Sequence, residues 1–323
     1  MTNNIQQRPV PSVTIALFCY NQESYIEDAL NSVLNQDYSP LSIIISDDCS
    51  KDNTVKIIST VLKNYQGPHT VVFNQNAQNL GLIKHINYVS SLVDTELLVA
   101  AAGDDISLPN RVSKIIHAYC LAPTQPTSIY SSVTKLSPEG VLSDIWEPPI
   151  KNIGHSIENC ALEGCLIIGA AHAWHKSIYE VFGEITELGA YEDLVIAYRS
   201  AILGGLLYID KPLVNYRTDV GISNLGTQNL NHIEQFTRYQ KIMLPVLRQR
   251  LLDSEKISDD QTRESIEKKI ERKINAIYLE ESFINKSAIL QLIPQAIKSQ
   301  NLPLLLKLIR KKFKKLFTKD SKN

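Results

Sequence analysis

Ile43-Ile-Ile-Ser-Asp-Asp-Cys-Ser50 and Leu97-Leu-Val-Ala-Ala-Ala-Gly-Asp-Asp105 share one design. Each is a short apolar run that leads into two adjacent acidic residues. Such a run, bounded by turn residues, predicts a strand buried on both faces. Val13–Cys19 has the same character, and residues 70–73 form another β-rich run. Between these strands the period changes. Ile26, Ala29, Leu30 and Val33 form one apolar helical stripe, and residues 54–62 and 82–92 are helical in period. Ser24 and Glu27 stand at capping-box spacing and predict the first helix start there. Strands alternating with helices predict an α/β fold around a doubly wound, mostly parallel sheet. Ligands of such sheets bind beyond the carboxyl ends of the strands. Both acidic pairs fall at those ends, so both are expected to face one crevice.

Outward from this region the pattern loosens. Residues 123–149 hold five prolines among short β-rich pieces. Residues 165–171 are apolar around Gly169, and a helix end is expected near Gly183. Ala190-Tyr-Glu-Asp193 opens the helical stripe Leu194, Ala197, Tyr198 and Ala201, and residues 206–209 read as a strand. From about Asn229 the chain turns to long polar helices. The alternating charges of residues 255–273 predict a solvated helix face. The expected division is an α/β domain over residues 1–228 and a helical region over residues 229–323.

The 323 residues are 44% hydrophobic and 21% charged, a balance typical of globular proteins. The net charge of -1 gives no global field for nucleic acid, and no such partner is expected. Charge is unevenly spread. Residues 307–323 hold eight Lys or Arg and one Asp, which leaves residues 1–306 at -8. Leu302, Leu306, Ile309, Phe313, Leu316 and Phe317 fall on one face of a helix. Lys307, Arg310, Lys311, Lys314 and Lys315 fall mainly on the other. This pattern predicts an interfacial helix drawn to an anionic membrane surface; a helix packed on the body is the alternative. The five cysteines (Cys19, Cys49, Cys120, Cys160 and Cys165) are odd in number and scattered, so they read as core thiols. No second pair joins Cys160 and Cys165 to complete a zinc site. No run approaches the roughly 18–20 apolar residues that span a bilayer. The expectation is a soluble or peripheral protein at the cytoplasmic face of a membrane.

Three acidic clusters carry the candidate chemistry. Asp47 and Asp48 could accept hydrogen bonds from a nucleotide base or ribose, or could close an Asx turn, with Asp52 and Thr54 capping the next helix. Asp104 and Asp105 offer two hard oxygen ligands suited to Mg²⁺ or Mn²⁺ beside a phosphate, or could form a tight turn. Glu192 and Asp193 could supply a general base, or simply complement a helix dipole. His172, Trp174 and His175 cluster in the sequence, and a Trp ring is able to stack on a sugar. A structural, partly buried role for Trp174 is the alternative.

Taken together and in this order, the motifs resemble the family-two inverting glycosyltransferases of the Rossmann-like GT-A fold. The resemblance covers residues 10–223. It runs through Val13-Thr-Ile-Ala-Leu-Phe-Cys-Tyr-Asn21, Ser32-Val-Leu-Asn-Gln36, Ile45-Ser-Asp-Asp-Cys-Ser50 and Asn79-Leu-Gly81. It continues through Ala102-Gly-Asp-Asp105 with Pro109 and Arg111, then Glu192-Asp193, and ends with Tyr216-Arg217 to Ser223. The resemblance implies a nucleotide-sugar donor, a divalent metal and a glycan or lipid-linked acceptor, as in bacterial O-antigen or capsule synthesis. By the same resemblance Tyr20 and Asp48 would contact the base, with Asp47 close by, and Asn79 and Gly81 would shape its pocket. Asp105 would bind metal, and Asp104 the metal or donor sugar. Asp193 would be the catalytic base, with Glu192 and Trp174 toward the acceptor. Arg217 would lie near the diphosphate. Two places depart from the family pattern. Ala102 stands where a further Asp often begins the metal motif, and Asp219 where a His often follows the Arg.

Two other readings compete. A nucleotidyltransferase would also carry a metal-binding acidic pair. It usually has a Gly-rich, basic loop after its first strand, whereas Cys19-Tyr-Asn-Gln-Glu23 has neither Gly nor cation. A catalytically silent sugar-nucleotide binder would have no need of Asp104, Asp105 and Asp193 together.

Overall fold

The computed structural model describes residues 8–148, 156–162, 167–221, 230–285 and 289–319. The chain divides into two compact units, Met1–Gln228 and Asn229–Asn323.

The first unit opens with β1 (Val13–Cys19), α1 (Ile26–Leu34), β2 (Ser42–Asp47), α2 (Thr54–Asn64), β3 (Thr70–Gln75), α3 (Leu82–Leu92) and β4 (Leu97–Ala102). It continues with β5 (Ile106–Ser107), α4 (Arg111–Leu121), β6 (Ser128–Leu136), β7 (Leu142–Trp146) and α5 (Ile157–Leu162). A 3₁₀ turn (Gly169–Ala171) leads to β8 (His172–His175), α6 (Ser177–Phe182), α7 (Glu192–Ile202) and β9 (Leu206–Arg217). One sheet runs in the order β3-β2-β1-β4-β8-β6-β9-β5, with β7 beside β6. β3, β2, β1 and β4 are parallel, as are β6 and β9. β8 lies antiparallel between β4 and β6. The sheet is thus mixed, with a parallel first half that matches the expected α/β class.

The apolar runs are apolar because helices cover both faces. Ile15, Leu17, Ile43, Ile45, Leu97 and Val99 are completely buried and join Leu30, Val33, Ile58 and Val112 in one core. Burying each such side chain contributes on the order of 1.5–3 kcal/mol. Register then sets the site. Cys19 pairs with Asp47 and Phe18 with Ala102, so β1, β2 and β4 end level. Tyr20, Asp48 and the Gly103-Asp104-Asp105 turn emerge side by side from those ends.

The capping box expected at Ser24 does not form. α1 begins at Ile26, because the Gln22 carbonyl accepts from both Tyr25 N and Ile26 N at 2.9 Å. β9 runs on past Ile209 to Arg217. Cys19, Cys120 and Cys160 are buried, while Cys49 is half-buried in the loop after β2. Cys165 lies outside the described residues.

The second unit holds α8 (His232–Asp253), α9 (Asp260–Ile284), α10 (Ile289–Lys298) and α11 (Leu302–Lys319). α8 starts at a true capping box. Ile233 N and Glu234 N donate to Asn231 Oδ1, and Asn231 N donates to Glu234 Oε2. Leu279, Leu292, Ala296 and Leu305 form its small core, with Ile309 packed against it. Leu302 and Leu306 remain exposed. The expected stripe of α11 is therefore split, with Ile309 turned inward and its first two leucines outward. The side chains of Phe313, Leu316 and Phe317 lie outside the described residues. Among the described residues no helix is long and apolar enough to cross a membrane.

Candidate active site

The loops after β1 and β2 are stitched together by short polar bonds. Asn21 N donates to Ser50 Oγ at 2.8 Å, Gln22 N to Thr54 Oγ1 at 2.8 Å and Glu23 N to Asp52 Oδ2 at 3.0 Å. Asp52 Oδ1 also accepts from Thr54 N at 3.0 Å, although the N-cap position of α2 is Asn53. Asp47 closes the turn, accepting from Ser50 N at 2.9 Å and from the Ser50 hydroxyl. Asp47 is completely buried, so the turn reading describes what its carboxylate does here. Tyr20, 41% exposed, stands at the mouth.

Asp48 is the organising carboxylate. Its Oδ1 accepts from Leu80 N at 2.8 Å and Asn76 Nδ2 at 2.9 Å; its Oδ2 accepts from Gly81 N at 2.9 Å. Asn79 Nδ2 adds a 3.3 Å bond to the Asp48 carbonyl. The Asn79-Leu80-Gly81 loop is thus folded onto Asp48. Gly81 has φ +75°, a backbone state that side chains disfavour. A carboxylate has about four acceptor positions. Among the described residues three are taken, two on Oδ1 and one on Oδ2.

Behind Asp48 runs a buried polar chain absent from the sequence reading. Asn76 Oδ1 accepts from Asn74 Nδ2, which also donates to Ser46 Oγ, each at 2.9 Å; Ser46 Oγ lies 2.7 Å from His85 Nε2. Burial pushes the His85 imidazole down, against the pull of Asp48 and Asp47. Asn74 lies near the end of β3 and Asn76 just after it; their spacing of two is the one signal in the sequence that could have paired them.

Asp104 and Asp105 follow Gly103, whose N–H bonds Phe18 O at 2.9 Å. Both carboxyl groups are buried. Burial pushes Asp104 up, and burial and then the Asp104 charge push Asp105 well above the usual range. Two acidic groups so placed favour a cation between them. Arg111 is buried nearby, donating to Ala100 O at 2.6 Å and Ser107 Oγ at 2.9 Å. Among the described residues no group of three or more His, Cys, Asp or Glu gathers into a metal site. Two carboxylates nevertheless fit Mg²⁺ or Mn²⁺, which complete their shells with substrate phosphates and water.

Arg217 is anchored to this turn. Its backbone N–H bonds Asp105 Oδ1 at 2.7 Å, and its Nε bonds Asp104 O at 2.9 Å. Nη1 donates to Ser137 O at 3.1 Å and Pro138 O at 3.2 Å. The guanidinium lies 4.5 Å from the Tyr25 ring centre. These bonds give Arg217 a structural task at the position expected to face a diphosphate. Asp219 is exposed, in a left-handed turn at φ +62°.

Glu192 and Asp193 start α7. Asp193 Oδ1 accepts from Leu194 N at 2.7 Å. The Glu192 carboxyl is turned inward, so that a Cβ on Gly169 would collide with its Oε1. Burial first and the Asp193 charge second push Glu192 up to about 8. The same 3₁₀ turn ends at Ala171, which packs with Val133 and Val214 beneath Trp146 and Tyr216. Tyr216 precedes Arg217. One apolar cluster therefore adjoins both the Glu192-Asp193 pair and the Asp104-Asp105 turn.

Trp174 takes no part. It is 2% exposed, paired with Leu98 of β4 and Ser128 of β6, and offers no face to an acceptor. His172 is fully buried beside Ser128 Oγ at 2.9 Å, and burial, then the Arg111 charge, pushes it down to about 3. His175 bonds Gln125 and Ser177.

Residues 14–127, which contain both acidic turns, match the family described as glycosyl transferase family 2. An uncharacterized glycosyltransferase of Haemophilus influenzae is 23% identical over 220 residues, 58% of this chain and 65% of that one. A chondroitin synthase of Pasteurella multocida is 24% identical over 243 residues, 69% of this chain and 22% of the synthase. The chain thus spans less than two thirds of the length of these relatives. S. aureus TarS 1-349 in complex with UDP-GlcNAc superposes with a TM-score of 0.59 at 16% identity, over 92% of this chain and 81% of TarS. The mannosyltransferase PcManGT of Pyrobaculum calidifontis, with GDP-Man and Mn²⁺, superposes with a TM-score of 0.55 at 15% identity, over 95% and 89%. These structures share the fold. The likeness to glycosyl transferase family 2 is carried by residues 14–127, which include Asp48 and the Asp104-Asp105 turn.

Proposed function

We propose that the protein moves a sugar from a UDP-linked donor to a hydroxyl of a glycan or lipid-linked acceptor, inverting the anomeric centre. The observation that carries this reading is the level ending of β1, β2 and β4, which sets Asp48 and the Asp104-Asp105 turn side by side. Asp48 supports uracil in particular. With three of its about four acceptor positions taken among the described residues, it suits one imide N–H, whereas guanine presents adjacent N–H groups that call for two. A divalent cation, Mn²⁺ or Mg²⁺, held by Asp105 and Asp104 would neutralise charge on the departing diphosphate.

The chain's own groups do the rest. Burial and the Asp193 charge both favour the protonated form of Glu192, which leaves Asp193 as the base of the pair. Asp193 takes the proton of the acceptor hydroxyl as that oxygen attacks the anomeric carbon. The bond from that carbon to the diphosphate oxygen breaks, and UDP leaves. Chondroitin synthase among the relatives supports a polysaccharide acceptor, of which an O-antigen or capsule unit is our choice. The eight cations of residues 307–323 and the exposed Leu302 and Leu306 support a peripheral site on the inner face of the plasma membrane.

The test is release of nucleoside diphosphate from a panel of nucleotide sugars, with Mn²⁺ or Mg²⁺ and with chelator. Release from a UDP-sugar, lost on chelation and in Asp105→Ala, is the expected result. Folded protein that binds and turns over no donor would sink the reading.

A further inference from the structure

We propose that the indole of Trp146 is the platform on which the acceptor's sugar ring stacks; this rests on the glycosyltransferase reading above. Trp146 ends β7, opposite Val133 of β6, which lies opposite Val214 of β9. It is half-buried, seated on Val133, Ala171 and Val214 beside Tyr216. The two ends of this cluster reach the two halves of the reaction. Tyr216 leads into Arg217, whose N–H holds Asp105. Ala171 closes the turn whose Gly169 lies against Glu192 and the Cβ of Asp193.

An acceptor must bring one hydroxyl to Asp193 and to the donor's anomeric carbon at the same time. Its ring therefore covers the ground between Asp193 and Asp105. That ground is apolar, and of the two half-buried aromatics on it, Trp146 and Tyr216, Trp146 has the larger ring. The C–H face of a pyranose is apolar and matches an indole face, while its edge hydroxyls remain free for polar groups. The chain's other tryptophan, Trp174, is shut inside the sheet. Trp146, at the end of β7, is half-buried and retains solvent exposure among the described residues.

Two measurements test this. The first is transfer of labelled sugar from the active UDP-sugar to a detergent extract of the host's own membranes, with donor and extract varied in turn. Trp146→Ala is expected to raise the KM for extract about tenfold while the donor KM holds, and Trp146→Phe to recover most of the loss. The second is acrylamide quenching, which reports Trp146 because Trp174 is buried. With UDP and Mn²⁺ present, the extract is expected to shield the quenchable emission. Unchanged acceptor KM in Trp146→Ala, a donor KM that rises in parallel, or quenching indifferent to the extract would each overturn the assignment. Wild-type protein that releases no UDP would instead refute the glycosyltransferase reading itself.

Discussion

The backbone N–H of Arg217 donates to the Oδ1 of Asp105 at 2.7 Å, across 112 residues of chain. The last residue of β9 thereby fixes the first turn after β4. The Arg217 side chain secures the same junction through the carbonyls of Asp104, Ser137 and Pro138. It is 4% exposed, so truncation strands carbonyls that water reaches poorly. Arg217→Ala should therefore cost on the order of 3 kcal/mol in urea unfolding. Arg217→Lys should recover only part, because an ammonium cannot reproduce the planar fork. Equal unfolding midpoints for Arg217→Ala and wild type would show that the junction holds without the guanidinium.

Asp193→Asn keeps the shape of the side chain and removes the base. Loss of a positioned general base costs about 10²–10⁴ in rate. We expect kcat for sugar transfer to fall in that range, with UDP binding by calorimetry unchanged. Retention of full transfer would move the base to another residue.

Much of this was legible because burial on both faces leaves a plain trace. β1, α3 and β4 lie where their apolar runs and periods predict. The reading failed where distant contacts decide. The sequence pattern ends β9 at Ile209, because Asp210, Lys211 and Pro212 interrupt it. In the sheet, the pairing with β6 shifts between Ser131 and Ser132, a bulge that accommodates a proline. Trp174 and Trp146 are indistinguishable by residue type. Only the pairing of β8 on both sides and, among the described residues, of β7 with β6 alone separates the buried ring from the half-exposed one. The task of Arg217 depends on carbonyls 79 to 113 residues away, which no local period can reveal.

Asp48 sets a preference between nucleotides. With three of its about four acceptor positions taken, wild type should bind UDP at least about tenfold more tightly than GDP, the discrimination expected when a polar group is left unpaired. Asp48→Asn places an amide where Leu80 N and Gly81 N now donate. Two donors would then face each other, loosening the Asn79-Leu80-Gly81 loop. UDP affinity should drop by a further tenfold or so. Calorimetric titrations of UDP and GDP into both proteins check this, and equal affinities in wild type would remove the basis for choosing uracil.

Glu192 predicts a pH dependence of stability whose sign follows from its environment. Folded, its carboxyl titrates near 8, because burial and the adjacent Asp193 both oppose its charge. Unfolded, it titrates near the ordinary 4.5. Between these values the folded chain holds a proton that the unfolded chain has lost, so stability falls as pH rises. The site's contribution is fully present below about pH 4.5 and is lost on passing through about 8. Glu192→Gln keeps the shape and never ionises. Its melting temperature should match wild type near pH 5 and exceed it at about pH 9, with a flatter profile between. Parallel melting profiles for the two proteins across that range would mean that Glu192 is ionised in the folded state. The proton inventory of the pair would then have to be reassigned, with the charge shared between Glu192 and Asp193.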